Sequence, residues 1–414
     1  MVEVKKIIWL VNQYAMPPEL ESRLRTIKFA QYLTEKGYDV TIFASSIMHN
    51  MDIDLIADDS RYFEKSYGIL KFVHIKTKKY GSNKLARIIS SLQFYSRLKK
   101  IIKKYPKPDI ILHTAYIPFG LGLYFTARKL KSKYFIEVVD LWPETFVELG
   151  LVNKSNPLLF FAYRAERWLY EKADKVIFSM EGGVNYIQDK GWDKANGGKI
   201  DLEKVSYINN GVDLEDFNNN VKQFILEDKD LSDSKIKKII YLGSIRLANN
   251  IKQLIDAAAI LIKHDDIKFL LYGNGDDRSY LEQYCKSNNI NNVIFKEKWI
   301  DPKYVPYVIS CSTVNLLNYM PAHFGGYGGS QSKMFQYMAS GKPICCNLKM
   351  MYCPINKFNL GIAKEFSSTQ EYADAILTLV NMKKDDLEGI NMRNKLTANA
   401  FDYKVLTDKL IELF

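Results

Sequence analysis

The chain has 414 residues, of which 47% are hydrophobic and 25% are charged, and its formal net charge is +11. This length exceeds one typical hydrophobic core, so two or more domains are expected, and the composition excludes a fibrous or disordered protein. No stretch approaches the roughly 18 apolar residues of a membrane span, and the run Ile7–Val11 is too short for a signal peptide. The five cysteines lack metal-ligand spacing, which predicts reduced thiols in the cytoplasm.

The positive charge is concentrated in one part of the chain. Between Arg61 and Ile110 there are fourteen Lys or Arg residues against Glu64 and Asp109, a net charge of +12. Such a basic region favours a polyanionic partner, either anionic lipid or nucleic acid.

The first half of the chain alternates between short apolar runs and amphipathic runs. The predicted strands are 7–11, 40–43, 69–75, 109–112, 134–139, 175–178 and 205–208. The predicted helices are 21–36, 83–104, 118–130 and 157–173. This alternation predicts an α/β domain with a parallel sheet and helices on both faces.

The alternation starts again after the turn Asn209-Asn210-Gly211, and residues 213–234 are predicted to be irregular. The second series of strands is 239–243, 268–272, 293–296, 314–317 and 344–346. Its helices follow at 250–262, 277–287, within 327–343 and at 369–379. We predict two Rossmann-like domains, 1–210 and 211–398, that face a central cleft, with 399–414 as a terminal helix packing on the first domain.

The segment 327–343 has the features of an anion site. A Gly328-Gly329 turn leads into a polar corner and a short helix, which Gly341 is expected to end. Free N–H groups at a helix start attract phosphate, and Lys333 adds a full charge there. The alternative is an ordinary connection that carries a surface lysine.

A second cation follows the first strand of the second series. Arg246 comes shortly after Gly243, and Asn250 is expected to cap the next helix. Together with Lys333, Arg246 forms a candidate diphosphate clamp. The glycines Gly273 and Gly275 would let a flat base approach the backbone. Since Arg278 replaces the third glycine of a dinucleotide motif and no Walker motif occurs, NAD and FAD are disfavoured.

These residues resemble bacterial retaining glycosyltransferases of family four, which have the GT-B fold, and in particular the N-acetyl-fucosamine-type transferases of O-antigen and capsule synthesis. The resemblance covers nearly the whole chain. It is carried by Asn12-Gln13-Tyr14 with Arg23, by 137–144 with its Asp-Leu-Trp-Pro-Glu sequence, by 209–213, and by 241–250 together with 328–343.

The resemblance implies a nucleotide-diphospho sugar donor, with UDP favoured, bound without a metal or other cofactor. Gln336 and Gly328 stand where the family usually has glutamates, one of which binds the ribose hydroxyls. The implied donor-binding residues are Gly243, Arg246, Asn250, Gly273, Gly275, Gly329, Ser330, Gln331, Ser332, Lys333 and Gln336.

The resemblance also assigns the first domain to the acceptor, expected to be a lipid-linked saccharide. Its implied contacts are Tyr14, Arg23, His113, Asp140 and Glu144. Asp140, Arg246 and Lys333 are the candidate catalytic residues, with Asp140 beside the transferred sugar. Asp140 and Glu144 have the alternative role of helix caps, and a lone histidine such as His113 is more often structural.

The predicted basic helix 83–104 has apolar residues set among cations, which is typical of a surface that rests on anionic lipid. Phe94 and Tyr95 are expected to insert there. The alternative is a solvated helix that packs on the sheet, and nucleic acid is disfavoured because no binding module is present. We therefore expect a cytoplasmic, membrane-peripheral glycosyltransferase, with a sugar-nucleotide epimerase or a non-catalytic nucleotide-sugar or membrane-binding protein as alternatives.

Overall fold

The computed structural model describes residues 6–20, 24–49, 51–81, 83–148, 150, 152–320 and 326–414. The chain divides into two compact units. Unit 1 comprises Met1–Asn209 and Tyr403–Phe414, and unit 2 comprises Asn210–Asp402.

Unit 1 contains an eight-stranded sheet with the order β3-β4-β2-β1-β5-β6-β7-β8. All pairs are parallel except β3 and β4, which are antiparallel. The strands are β1 (Ile7–Val11), β2 (Asp39–Ser45), β3 (Tyr62–Tyr67), β4 (Leu70–Ile75), β5 (Ile110–Thr114), β6 (Lys133–Val138), β7 (Lys175–Phe178) and β8 (Val205–Tyr207).

Helices connect these strands, and side chains cap the longest of them. Asn83 accepts a hydrogen bond from the Ala86 N–H, and Asn156 accepts one from the Leu158 N–H. The helices described before the second unit are α1 (Arg25–Glu35), α2 (Lys84–Ile101), α3 (Gly122–Leu130), α4 (Glu144–Glu148), α5 (Pro157–Lys172) and α6 (Gly183–Asp189).

Unit 2 has a six-stranded, all-parallel sheet with the order β11-β10-β9-β12-β13-β14. This is the strand order of a Rossmann domain, in which the first strand lies beside the point where the order reverses. The strands are β9 (Lys237–Leu242), β10 (Ile267–Tyr272), β11 (Val293–Phe295), β12 (Val314–Leu317), β13 (Ile344–Cys346) and β14 (Gly361–Ala363).

The helices of unit 2 cover both faces of its sheet with apolar side chains, among them Leu254 and Ile376 on one core and Phe335 and Met338 on another. They are α7 (Leu214–Gln223), α8 (Lys229–Ser232), α9 (Ile251–Ile260), α10 (Arg278–Ser287), α11 (Val305–Ser310), α12 (Ser332–Ser340), α13 (Pro354–Lys357), α14 (Thr369–Val380) and α15 (Lys384–Ala400).

The last helix, α16 (Tyr403–Ile411), belongs to unit 1. Tyr403, Leu406 and Leu410 are buried in the core that β1, β2 and α1 also form. The chain therefore ends on the unit in which it begins.

The structure corrects one expectation and contains several elements that were not predicted, among them α6, α11 and β14. Residues 213–234 were expected to be irregular, but they contain α7, which Asp213 caps and whose Phe217 is buried. The strand β3 and the helix α15 were not predicted. Buried and exposed residues do not alternate regularly along β3, whose central residues are exposed. In α15 only Ile390, Asn394 and Ala398 are buried, so neither element has a clear apolar pattern in the sequence.

No helix in the described part of the chain is long and apolar enough to cross a membrane.

Candidate functional site

The ends of β9 and β10 and the start of α12 meet in unit 2. We call the residues that meet there the glycine–cation cluster: Gly243, Arg246, Gly273, Gly275 and Lys333. A Cβ atom on Gly243 would lie 1.9 Å from Lys333 Nζ, and one on Gly275 would lie 2.9 Å from Arg246 Cγ. The five predicted residues therefore form one surface at the carboxyl edge of the sheet, where ligands of such sheets bind.

The glycines in this cluster are required by close packing of the backbone. A Cβ atom on Gly273 would lie 1.9 Å from the Gly243 carbonyl oxygen, and Gly273 has φ of +129°. A side chain there would collide with backbone atoms that cannot move aside. The absence of side chains at these glycines therefore lets the loops after β9 and β10 pack closely beside Lys333 and Arg246.

Lys333 lies in a setting that is unfavourable for an ammonium group. Its Nζ is 3.5 Å from Tyr241 Oη and 4.9 Å from the centre of that ring, and no ion pair links it to a carboxylate among the described residues. Burial lowers the pKa of Lys333 to about 8. A bound anion would supply the missing negative partner.

Arg246 is exposed, and it too has no ion pair within the described ranges. It directly precedes the short 3₁₀ helix Leu247–Asn249. Asn250, expected to cap the following helix, is correctly placed at the cap position but makes no side-chain capping bond. Its backbone is left-handed, with φ of +45°, and its amide donates to Gln253 instead.

The first turn of α12 faces the same surface. Gln331 occupies the cap position without making a capping hydrogen bond, so the first N–H groups of the helix keep their capacity for a ligand. The Ser330 hydroxyl and carbonyl accept hydrogen bonds of 2.7 and 2.5 Å from Asn210, which fixes the chain entering the helix. Gly341 ends α12 with φ of +74°, as the sequence predicts.

The remaining predicted donor residues are part of the same segment. Gly329 lies against the side chain of Gln331, and Ser332 is the first residue of α12. Gln336, one turn into the helix, is half-buried. The residues 321–325, which precede this segment, lie outside the described part of the chain.

A network of asparagines supports the glycine–cation cluster, and sequence reasoning missed it. Asn318 donates 2.9 and 2.6 Å hydrogen bonds to the carbonyls of Asn249 and Asn250, and it accepts one from Tyr372 Oη. Asn347 bonds Gln253 and both backbone groups of Tyr319. The only sequence signal is a polar residue directly after each of two buried strands.

In unit 1, Tyr14, Asp140 and Glu144 all follow strands or start a helix, as predicted. Asp140 is exposed just beyond β6. Glu144 is the first residue of α4, and its Oε2 accepts hydrogen bonds from Tyr163 Oη at 2.6 Å and Lys190 Nζ at 2.5 Å. Tyr14 is buried against Tyr116 and accepts a 3.2 Å hydrogen bond from Arg87. Their acceptor roles stay predictions, and Arg23 lies outside the described residues.

The surroundings of His113, one of the predicted acceptor-binding residues, are those of a structural residue. It is fully buried, and its two ring nitrogens bond Tyr95 Oη at 2.9 Å and Tyr134 Oη at 2.7 Å. Burial lowers the pKa of His113 to about 3. The ring is thus a neutral, structural link between α2, β5 and β6, because both of its polar atoms are already bonded.

A buried ion pair between Arg25 and Glu137 is a second feature of unit 1 that was not predicted. Their atoms Nε and Oε1 are 2.7 Å apart, and Arg25 also donates to the Asn209 carbonyl at 2.6 Å. Thr114 donates to the other carboxylate oxygen. A glutamate inside a predicted buried strand was the available signal, since such a charge requires a partner.

The basic helix α2 differs from the expectation in its details. Phe94, expected to insert into lipid, is fully buried, and the Tyr95 hydroxyl bonds His113. The exposed apolar residues of α2 are instead Leu85 (72% exposed), Leu92, Ile88 and Ile89. Lys99 and Lys100 are exposed near its carboxyl end.

No group of three or more His, Cys, Asp or Glu side chains in the described ranges is arranged to hold a metal ion. Metal independence stays a prediction.

Two protein families match the chain in succession. Residues 25–216 match Glycosyltransferase Family 4, and residues 222–402 match Glycosyl transferases group 1. No curated protein matches the chain in the sequence comparison.

Solved structures match the chain over nearly its whole length. An α,α-trehalose-phosphate synthase (UDP-forming) from Burkholderia vietnamiensis is 11% identical, with 99% of this chain and 98% of that chain covered and a TM-score of 0.72. WaaG, a glycosyltransferase involved in lipopolysaccharide biosynthesis, is 12% identical, with 98% and 99% covered and a TM-score of 0.65. Anabaena HepE (Alr3699), in complex with UDP, is 14% identical, with 98% of each chain covered and a TM-score of 0.64. At these identities the likeness shows the fold, which is GT-B, as the sequence predicts.

Proposed function

The chain belongs to the GT-B glycosyltransferases, with a Glycosyltransferase Family 4 domain before a Glycosyl transferases group 1 domain, and we propose that it transfers a sugar with retention from a UDP-sugar. The acceptor that we propose is a lipid-linked or saccharide intermediate of surface polysaccharide synthesis, such as O-antigen or capsule. The UDP-forming synthase, UDP-bound HepE and the lipopolysaccharide glycosyltransferase WaaG, which share this fold, support this choice of donor and acceptor class.

The observation that carries the proposal is the glycine–cation cluster. Two cations without carboxylate partners in the described chain lie beside glycine-lined backbone and an uncapped helix start. This combination suits a diphosphate, because N–H groups and ammonium or guanidinium groups are its preferred partners.

In the proposed reaction the bond between the sugar and the diphosphate breaks on the same face that the acceptor attacks. The leaving diphosphate takes the proton of the acceptor hydroxyl, while Arg246 and Lys333 stabilise the charge that develops on it. Loss of one such preorganised group costs on the order of 3 kcal/mol in the barrier, or about 10²-fold in rate. Asp140 keeps its implied role of orienting the sugar or stabilising positive charge on its ring, and Gln336 that of a ribose contact.

The direct test is an assay of UDP release from a panel of UDP-sugars, with and without lipid-linked saccharide acceptors. We expect release only with a matching acceptor, a product whose anomeric configuration equals that of the donor by NMR, and about 10²-fold lower rates for Arg246→Ala. A Lys286→Ala variant, altered on the exposed face of α10, is the control.

Other outcomes would identify the alternatives. A sugar product with an epimerised carbon, formed in the absence of any acceptor, would indicate an epimerase. Nucleotide binding without turnover on any acceptor would indicate a non-catalytic relative, consistent with Gly328 and Gln336 replacing the glutamates of the family.

We also propose that α2 rests on an anionic membrane surface. The exposed side chains of Leu85, Ile88 and Leu92 on a helix that ends in exposed lysines favour this partner. Such a position would bring unit 1 to a lipid-linked acceptor.

A further inference from the structure

Trp299 is the most exposed tryptophan side chain in the described ranges, with 70% of its surface accessible. It follows β11, the strand at one edge of the sheet in unit 2. The loops after β11, β10 and β9 leave the sheet at its carboxyl edge, the edge on which the glycine–cation cluster lies. A single exposed aromatic residue is ordinary on a protein surface. What distinguishes this indole is how the loop that carries it is tied to the glycine–cation cluster.

The loop that carries Trp299 is anchored on both sides. The Glu297 carbonyl accepts a 3.0 Å hydrogen bond from the Gly273 N–H, which ties this loop directly to the glycine–cation cluster. Arg278 donates to the Gly273 carbonyl at 2.5 Å and to the Lys296 carbonyl at 2.7 Å. Arg278, which stands in place of a third glycine, therefore joins the ends of β10 and β11.

On the other side of Trp299 the chain is held by the core. Ile300 packs against the cluster that contains Leu270 and Tyr272, and the Asp301 side chain accepts a hydrogen bond from the Lys303 N–H. The exposure of the indole is thus built into an anchored loop, and little conformational entropy remains to be lost when it contacts a ligand.

We propose that Trp299 stacks on the base of the nucleotide whose diphosphate Arg246 and Lys333 bind. The inference rests on the proposed function. Strand β11 lies two strands from β9, so the two subsites are about 10 Å apart across the sheet. A ribose linked to a diphosphate bridges such a span, with the ribose passing over Gly273 and Gly275.

This contact gives affinity rather than base identity. Every base has a flat π face, so stacking on an aromatic side chain is tolerant of the base. Ligands that carry a diphosphate but no base would not touch Trp299. A substitution of Trp299 that weakens nucleotides but not pyrophosphate would therefore show a role in base binding, whereas a general effect on folding would weaken both.

The experiment is calorimetric titration of the full chain with UDP, ADP and inorganic pyrophosphate, using the native protein and the variants Trp299→Ala, Trp299→Phe and Lys333→Ala. We expect Trp299→Ala to weaken UDP and ADP about 5- to 150-fold and to leave pyrophosphate unchanged. Trp299→Phe should retain most of the affinity but lose the quenching of indole fluorescence that UDP causes. Lys333→Ala should weaken all three ligands.

The control is Phe358→Ala, which alters a partly exposed aromatic residue ahead of the strand β14, at the other edge of the sheet. If native and Trp299→Ala proteins bind UDP equally, the inference is wrong while the proposed function stands. An equal loss of pyrophosphate and UDP in Trp299→Ala would also overturn it, since it would show a folding effect. If the native protein binds no nucleotide, the proposed function and the inference both fail.

Discussion

At the scale of single residues, Lys333 shows how a site can be recognised without a ligand. Its ammonium group is buried beside Tyr241 and the Gly243 backbone, and no described carboxylate compensates for its lost hydration. Burial lowers the pKa of Lys333 to about 8, which is a cost that the free protein bears. Such uncompensated groups are common where function requires them.

The lowered pKa predicts a pH dependence of nucleotide binding. Below about pH 8 Lys333 is charged and attracts the diphosphate, and above that pH the free protein loses this proton. UDP affinity should therefore fall up to tenfold per pH unit as the pH rises from 8 to 9.5, because binding then requires proton uptake. Titration calorimetry in buffers of different ionisation enthalpy measures the proton uptake directly.

Lys333→Arg is the matched control for this prediction. Arginine stays charged throughout the range, so its UDP affinity should be nearly independent of pH between 8 and 9.5. The same slope in native and Lys333→Arg proteins would show that another group titrates.

Some residues could be found from the sequence and others could not. Gly341 and Lys333 were predicted because helix ends and anion sites have short local patterns. The sequence left a structural role for His113 open, and it could not show the tyrosines that bond it, because Tyr95 and Tyr134 come from separate parts of the chain. Its burial depends on the packing of α2 against β5, which no local pattern reports.

At the scale of elements, the glycines after β9 and β10 decide how closely the loops pack. Gly273→Ala should destabilise unit 2 by more than about 2 kcal/mol, because its Cβ would lie 1.9 Å from a backbone oxygen. A Cβ on Gly243 would meet no backbone atom but would lie 1.9 Å from Lys333 Nζ and 3.3 Å from Tyr241 Oη, at a φ of +155°. Gly243→Ala should therefore destabilise unit 2 less than Gly273→Ala does and, by displacing Lys333, should also reduce UDP affinity. Chemical denaturation together with UDP titration of both variants checks this difference.

The helix α15 contains a glycine, Gly389, whose replacement by alanine should increase rather than decrease stability. A Cβ on Gly389 would meet only the Arg393 guanidinium, at 3.2 Å. Gly389→Ala should therefore stabilise the helix by about 0.5–1 kcal/mol. Equal destabilisation by all three glycine substitutions would contradict the packing argument.

Asn318 should be the residue on which the loop 244–250 depends most. Asn318→Ala removes two hydrogen bonds to backbone carbonyls and leaves Tyr372 Oη without its partner. We expect a loss of about 1–3 kcal/mol in the free energy of unfolding and weaker UDP binding. Asn288→Ala, on an exposed helix end, should change stability by less than about 0.5 kcal/mol.

For the chain as a whole, the alternation of strands and helices in the sequence predicted the two parallel sheets. It did not predict the edge strands β3 and β14. The central strand β1 is a continuous apolar run, and β9 becomes one after its two lysines, as expected of strands buried on both faces. The helix α7 carries mostly polar residues, and the edge strand β3 has polar residues at its centre, so neither has a clear apolar pattern. The network of Asn318 and Asn347 was invisible for the same reason.

The uneven charge of the chain predicts salt-dependent binding to anionic vesicles. Replacing Lys99, Lys100 and Lys103 together with Glu should weaken binding to phosphatidylglycerol vesicles by more than about 10²-fold, since each lysine near such a surface contributes roughly 1 kcal/mol. Sedimentation with vesicles at low and high salt measures it. The control is a variant in which Lys263, Lys286 and Lys383 of unit 2 are replaced by Glu. Equal losses of vesicle binding in both variants would contradict a role for α2.

A thermal-shift titration with UDP on the native protein, Arg246→Ala and Lys333→Ala tests directly whether the glycine–cation cluster binds the donor. The glycine–cation cluster predicts that UDP raises the melting temperature of the native protein and that either substitution abolishes most of the shift. A native protein that does not respond to UDP, GDP or ADP at millimolar concentration would contradict the proposed donor site. Unchanged shifts in both variants would show that the nucleotide binds elsewhere.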